Sequence, residues 1–157
     1  MKVILPGSYD PVTVGHLDLI KRASELYEEV CAVIFVNPKK TYRFSRKERL
    51  DMLALAVREL KNVRVDYSEG LVIDYMRSHG IEKIIKGYRN EADLEYEKLQ
   101  AEWNKAHGGF DTELWQSTTG LERVSSTAVR AALDGKKSTS ELLPEAVEEY
   151  ILSLENK

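Results

Sequence analysis

Short apolar runs rich in β-branched residues alternate along the chain with segments of helical period. Within 17–27 and 50–60, apolar side chains recur three or four residues apart, as on one face of a helix. The runs between such segments are typical of strands. This alternation favours right-handed βαβ crossovers and a parallel sheet with helices on both faces. The predicted strands are residues 3–5, 30–36, 63–67, 83–86 and 113–116.

The predicted fold is a Rossmann-like, doubly wound α/β domain with five parallel strands in the order 3-2-1-4-5 and helices at the C-terminal end. Ser45 and Glu48 form the Ser-x-x-Glu pattern of a capping box, and Pro144 suits the first turn of a last helix. In such a sheet, ligands bind beyond the carboxyl ends of the strands where the order reverses. That point lies between strands one and four, which end at Gly7 and Gly87.

Length and composition predict a single domain over residues 1–157, with 43% hydrophobic and 31% charged positions. Cys31 is the only cysteine and lies in an apolar run, so we expect a buried, inert thiol. Residues 1–6 lack the apolar core of a signal peptide, and no apolar stretch approaches the ~20 residues that span a bilayer. We therefore expect a cytoplasmic protein without membrane partners. The net charge of -3 favours no general binding of nucleic acid, but it allows a local basic pocket for a small phosphate.

The first informative motif lies between the first strand and the first helix and reads GSYDPVTVGH over residues 7–16. Thr13 is a plausible N-cap, which puts Gly15 and His16 in the first helical turn. Free backbone N–H groups and the helix dipole favour an anion there, and Gly15 lets a phosphate come close. A lone histidine on a helix is more often structural or solvated, so the position after Gly15 carries the functional interpretation.

A second motif, Ser125-Ser126-Thr127-Ala128-Val129-Arg130, precedes and opens another predicted helix. Its hydroxyl and backbone N–H groups could hold the β- and γ-phosphates of a nucleotide. Ordinary serine capping is the alternative interpretation of this run taken alone.

Together these motifs resemble a nucleotidyltransferase superfamily, whose signatures are (Thr/Ser)-x-Asp-Pro-x-x-x-Gly-His and Ile-Ser-Ser-(Ser/Thr)-x-x-(Arg/Lys). Residues 86–97, KGYRNEADLEYE, closely resemble the matching stretch of bacterial pantetheine-phosphate adenylyltransferases, and the likeness covers nearly the whole chain. That resemblance implies reversible transfer of AMP from ATP to 4'-phosphopantetheine, giving dephospho-coenzyme A and pyrophosphate. It also implies a homohexamer and feedback inhibition by coenzyme A.

The resemblance also assigns site residues. It implies that His16 stabilises the transition state and that Ser8, Lys40, Val72 and Lys86 bind phosphopantetheine. The ATP site that it implies consists of Ser8, Tyr9, His16, Gly87, Tyr88, Arg89, Glu97, Leu121, Glu122, Arg123, Val124, Ser125, Ser126 and Thr127.

Three positions depart from the family pattern. Lys86 stands for an arginine, which replaces a bidentate fork by a point charge. Tyr88 stands for a leucine, and residues 119–124 differ from the family's approach to the serines, so contacts with adenine are the least specified.

The chemistry expected is in-line attack by the acceptor phosphate on the α-phosphorus of ATP. Catalysis would rest on positioning and charge neutralisation, with Mg²⁺ carried on the ATP phosphates and no dedicated metal site in the protein. A nicotinamide-mononucleotide or polyol-phosphate nucleotidyltransferase is the alternative enzyme. A nucleotide sensor of the same architecture that performs no chemistry is the alternative from another class.

Overall fold

The computed structural model describes residues 1–155, in which five strands and six helices alternate as the sequence predicts. No helix in this part of the chain has both the length and the apolar character needed to cross a membrane. The elements are β1 (Lys2–Gly7), α1 (Val14–Leu26), β2 (Glu29–Phe35), α2 (Arg46–Val57), β3 (Val63–Ser68), α3 (Val72–His79), β4 (Lys83–Tyr88), α4 (Glu91–Gly108), β5 (Asp111–Gln116), α5 (Ser126–Asp134) and α6 (Glu145–Glu155).

All five strands are parallel, and their order is β3-β2-β1-β4-β5, which confirms the predicted topology. The central strand β1 pairs with β2 on one side and with β4 on the other. In this register Ile4 lies between Cys31 and Ile84. The order reverses at β1, so the crevice beyond β1 and β4 is the expected ligand position.

Alternate residues of the strands supply two apolar cores, one on each face of the sheet. Val3, Leu5 and Ile85 belong to the larger core, which also contains side chains of α1, α2, α5 and α6. Ile4 and Ile84 belong to the smaller core beneath α3. Cys31 is buried in this smaller core, as expected. Because both faces are covered, β1 and β2 are nearly continuous apolar runs, whereas the edge strands β3 and β5 mix polar and apolar residues.

Side-chain caps fix where α1 and α2 begin, as they also do for α4 and α5. Thr13 caps α1, and Ser45 with Glu48 forms the predicted capping box of α2. The predicted apolar face of α2 is partly wrong: Ala54 is exposed, whereas Arg49 and Met52 are buried. The helix turns these two residues inward because it packs between β3 and α6, a contact that local periodicity does not specify.

Candidate active site

A cavity of about 430 Å³ opens where β1 and β4 end and α1 begins. The end of β1, the first turn of α1, the end of β4 and the start of α5 form its walls. All the site residues named from the sequence line this cavity except Val72, Glu122 and Arg123. The two sequence motifs, more than one hundred residues apart, therefore face each other across one cavity.

His16 is held by a reciprocal cap at the first turn of α1. The Thr13 backbone N–H donates to His16 Nδ1 at 3.0 Å, and the His16 N–H donates to Thr13 Oγ1 at 3.2 Å. Histidine thus occupies the place that glutamate takes in most capping boxes. Because Nδ1 accepts the hydrogen bond, the proton of a neutral ring is on Nε2, which is then a donor.

The electrostatics of the cavity keep this ring neutral. Burial, followed by the positive charges of Lys86 and Arg89, lowers the pKa of His16 to about 4. At pH 7 the side chain therefore offers a neutral N–H donor rather than a cation. Such a donor suits a developing negative charge without attracting the phosphate as an ion pair would.

Tyr9 lies beside His16 but directs its side chain into the protein. Its side chain is buried, its hydroxyl donates to the Leu5 carbonyl at 2.7 Å, and its ring centroid is 4.9 Å from that of His16. The Tyr9 hydroxyl is therefore engaged in a hydrogen bond within the protein core. A contact between Tyr9 and ATP, as the sequence resemblance implies, would have to use the backbone.

Four cations of the cavity are paired with carboxylates. Arg89 lies 3.1 Å from Asp93, and Lys86 lies 3.6 Å from Glu97. The pairs Arg22–Asp18 and Arg130–Asp10 are looser, at 3.7 and 3.8 Å. Lys40, in contrast, has no carboxylate within 4.0 Å among residues 1–155, so its ammonium group is available to an anion.

The second motif serves the fold as well as the cavity. Ser125 Oγ accepts from Ala128 N–H and caps α5, while Ser126 Oγ donates to the Pro11 carbonyl at 2.8 Å. Thr127 Oγ1 accepts from Arg130 at 3.1 Å. Only the Ser126 proton is therefore engaged. The Ser125 and Thr127 hydroxyls act as acceptors in these bonds and keep an O–H for a phosphate, beside the first-turn N–H groups of Ser126 and Thr127, which have no acceptor within the helix.

Asp10 lines the cavity, but the sequence analysis assigned no role to its side chain. Its buried carboxylate accepts from the backbone N–H groups of Arg43 and Phe44 at 2.9 and 3.0 Å. Arg130 donates to the Asp10 carbonyl at 2.8 Å. Asp10 therefore ties the first motif to the second and to the segment before α2. The sequence signal for this role is the position of Asp10 before Pro11 in the first motif.

A second cavity, of about 320 Å³, shares a wall with the first. Ser8, Lys40, Lys86 and Glu97 line both cavities. Val72, at the start of α3, lines this second cavity and not the first. Apart from Pro6 and Gly7 at the end of β1, the remaining wall mixes apolar and uncharged polar side chains, namely Phe35, Ile84, Tyr96, Gln100, Ala101, Asn104 and Thr112.

Three buried oxygen atoms on these walls have no hydrogen-bond partner among residues 1–155. They are Glu97 Oε2, Thr112 Oγ1 and Ser117 Oγ. Burial also raises the pKa of Glu97, against the opposing effect of Lys86. An unsatisfied buried polar atom costs about 1–3 kcal/mol, so these atoms favour a polar ligand or water in the cavities.

Glu122 and Arg123 are exposed and lie outside both cavities. The Glu122 carboxylate accepts from Gly120 N–H within its own loop. Their assignment to the ATP site stays a prediction, while Leu121 and Val124 of the same loop reach the first cavity.

The cytidylyltransferase-like family matches the chain over residues 4–132. This match includes most of β1, the other four strands, both motifs and every lining residue of the first cavity. The chain belongs to this family. It is accordingly a nucleotidyltransferase, and the starts of α1 and α5 face each other across its first cavity.

In this nucleotidyltransferase, no three His, Cys, Asp or Glu side chains among residues 1–155 cluster closely enough to hold a metal ion. Asp10, Asp93 and Glu97 of the cavity each lie beside a cation. Mg²⁺ commonly takes phosphate oxygens and water as ligands alongside few protein groups, so a cation bound to a nucleotide fits this cavity.

We expect the His16 ring of the ligand-free protein to remain neutral from about pH 8 down to about pH 5, because burial and two cations oppose its protonation. Nitrogen–proton NMR should show a single ring proton on Nε2 across this range. The His16→Asn variant identifies the signals. A ring pKa near the ordinary value of 6.5 would contradict this electrostatic description.

The lowered pKa of His16 also makes the free energy of unfolding depend on pH. The contribution of a neutral His16 is fully present above about pH 6.5, the unfolded value, and is lost as pH falls towards about 4. Wild-type protein should therefore lose more unfolding free energy than His16→Asn between these values. Denaturant titrations at several pH values measure the difference.

Proposed function

We propose that this chain catalyses reversible transfer of AMP from ATP to 4'-phosphopantetheine, giving dephospho-coenzyme A and pyrophosphate. The observation that carries the proposal is the pair of cavities with a common wall of Ser8, Lys40, Lys86 and Glu97. One cavity has the two helix starts suited to a triphosphate. The other has room and side chains for the acceptor's uncharged arm.

The reacting groups would meet at the common wall. An oxygen of the acceptor phosphate attacks the α-phosphorus, and the bond from that phosphorus to the oxygen that bridges it to the β-phosphorus breaks. Pyrophosphate takes that electron pair and leaves. The attacking phosphate is already ionised near pH 7, so the enzyme needs to align the groups and stabilise charge rather than remove a proton.

Lys86 and Lys40 are suited to hold the attacking phosphate. Lys86 Nζ donates to the Pro6 carbonyl at 3.3 Å and lies beside Glu97, which fixes its direction. Lys40 also lines both cavities and has no carboxylate within 4.0 Å among residues 1–155. Two ammonium groups of this kind would orient the acceptor and offset its repulsion from ATP.

His16 is suited to the transition state. Its Nε2–H donor is fixed in direction by the bond from Thr13 to Nδ1. A neutral donor gains strength as negative charge develops on an oxygen near the α-phosphorus, and it needs no reorganisation. Arg89 and the helix-start N–H groups would bind the β- and γ-phosphates.

The second cavity supports an acceptor with an amide-bearing arm. Phe35, Val72 and Ala101 offer apolar surface, whereas Asn104 and the unpartnered Thr112 hydroxyl offer hydrogen bonds. Pantetheine alternates methylene and amide groups and so matches this mixture. A polyol phosphate has hydroxyl groups throughout and would leave the apolar surface unused.

The proposal includes four properties that the family resemblance implies. They are Mg²⁺ bound to the ATP phosphates, where it would offset their negative charge, feedback inhibition by coenzyme A, a homohexamer and a cytoplasmic location. Light scattering measures the assembly, and coenzyme A titration into the assay measures the inhibition.

A substrate panel tests the proposed reaction. ATP and CTP are each incubated with 4'-phosphopantetheine, nicotinamide mononucleotide or glycerol 3-phosphate, and pyrophosphate is measured. We expect turnover only with ATP and 4'-phosphopantetheine. Preference for another pair would identify a different nucleotidyltransferase, and nucleotide binding without pyrophosphate in any pair would support the sensor.

Changing Lys40 or Lys86 to Met should weaken acceptor binding by about 1.5–3 kcal/mol, the size of one lost charge-assisted contact. Binding of ATP should change far less. Calorimetry with each substrate separately measures both effects. Lys86→Arg is the matched control and should retain activity, because arginine also reaches a phosphate. Unchanged acceptor affinity in both Met variants would remove the lysines from the site.

Replacing His16 by Asn should reduce kcat about 10²–10³-fold, as expected for one lost preorganised donor, with small changes in substrate dissociation constants. Asparagine is short and can replace Nδ1 as the acceptor of the Thr13 bond without reaching the Nε2 position. His16→Gln, which can reach that position with a donor, should retain more activity. Near-normal turnover of folded His16→Asn would refute the proposed task of His16.

A further inference from the structure

Arg49 is a buried cation that the proposed chemistry does not use. Only 3% of its surface is exposed, although it lies on α2 among side chains of the larger core. No carboxylate lies within 4.0 Å of its guanidinium group among residues 1–155. Burying an unpaired charge is costly, so an arginine in this position needs a compensating set of contacts.

Those contacts join two segments of the active site. Arg49 Nε donates to the Phe44 carbonyl, and Arg49 Nη1 donates to the Ser8 carbonyl, both at 3.2 Å. The guanidinium group also lies 4.1 Å from the ring centroid of Tyr42. One planar group thus holds the loop after β1 and the segment before α2 at a fixed distance.

Tyr42 extends this arrangement to the loop that carries Lys40. The Tyr42 hydroxyl accepts from Asn37 N–H at 2.8 Å, and Lys40 N–H donates to the Asn37 carbonyl at 2.9 Å. Lys39 N–H also donates to Asn37 Oδ1. The loop at 37–40 is therefore anchored at Asn37, and Asn37 is anchored to the ring on which Arg49 stacks.

Asp10 holds the same segment from the other side. Its carboxylate accepts from Arg43 and Phe44 N–H, while Arg49 donates to the Phe44 carbonyl. The peptide groups around Phe44 are therefore fixed in both directions. Since Asp10 belongs to the loop that includes Ser8, both contacts set the position of the Lys40 loop relative to the first motif.

We propose that Arg49 is a positioning residue for acceptor binding: it fixes the Lys40 loop against Ser8, so that the lysine and the first motif present one phosphate site. This inference rests on the proposed function for the identity of the acceptor. The fixed arrangement of the loop itself does not depend on that identity, and it can be measured in the ligand-free protein.

The test compares Arg49→Met, Arg49→Lys and Tyr42→Leu with wild type, and uses Arg64→Met as a matched control. Arg64 is 78% exposed, pairs with Glu29 and lines neither cavity. We expect Arg49→Met to raise the KM for 4'-phosphopantetheine about tenfold or more, equivalent to one lost charge-assisted contact. The ATP dissociation constant should stay within about twofold, and Arg49→Lys should fall between Met and wild type.

Hydrogen exchange provides a readout that is independent of the acceptor. The amides of Asn37, Lys39 and Lys40 should exchange faster in Arg49→Met and Tyr42→Leu, while amides of the β1 strand keep their wild-type protection. If Arg49→Met does not fold, Arg49→Lys and Tyr42→Leu provide the same comparison. Unchanged loop exchange, or an acceptor KM that matches Arg64→Met, would overturn the inference. If wild type does not use 4'-phosphopantetheine, the proposed function fails, and the exchange result alone decides whether Arg49 positions the loop.

Discussion

The hydrogen bonds of β1 to parallel neighbours on both sides are the constraint on which the site depends. Since β2 and β4 flank it, the chain leaves β1 and β4 at one edge of the sheet, and α1 begins in the crevice between them. The returning chain brings the start of α5 to the same edge. Two helix starts thereby face one cavity. Val14 and His16 N–H of α1 already donate to Leu142 and Thr13, so Gly15 N–H and the first N–H groups of α5 are the backbone donors left for a triphosphate.

The hydrogen bond from Thr13 N–H to His16 Nδ1 caps α1 and at the same time orients a side chain that can donate to a ligand. The acceptor in this capping box is an imidazole, so satisfying the backbone also selects the Nε2–H tautomer. Lys86 and Arg89 then disfavour a second proton on the ring. The residues that would bind the phosphates thus also keep His16 in the state in which it can donate to them.

The Thr13 and Ser45 caps could be predicted because short-range chemistry determines them. The strand order and most of the cavity wall are long-range features, and they were predicted from the alternation typical of the fold class and from the family motifs. The sequence could not predict that Tyr9 points into the core, since both orientations fit the same loop pattern. Nor did it predict the burial of Arg49, because the lysine-rich and arginine-rich first turns of a helix normally lie in solvent, and only the packing of α2 turns this one inward.

The paired charges of the cavity indicate how binding energy is distributed. Arg89 and Arg130 already lie beside Asp93 and Asp10, so a phosphate that approaches them gains less than it would from free cations. The carboxylates, however, hold these groups in place before the ligand arrives. In the proposed reaction this arrangement would moderate ground-state affinity while retaining alignment, so that contacts that strengthen only at the transition state, such as the one proposed for His16, would accelerate the reaction.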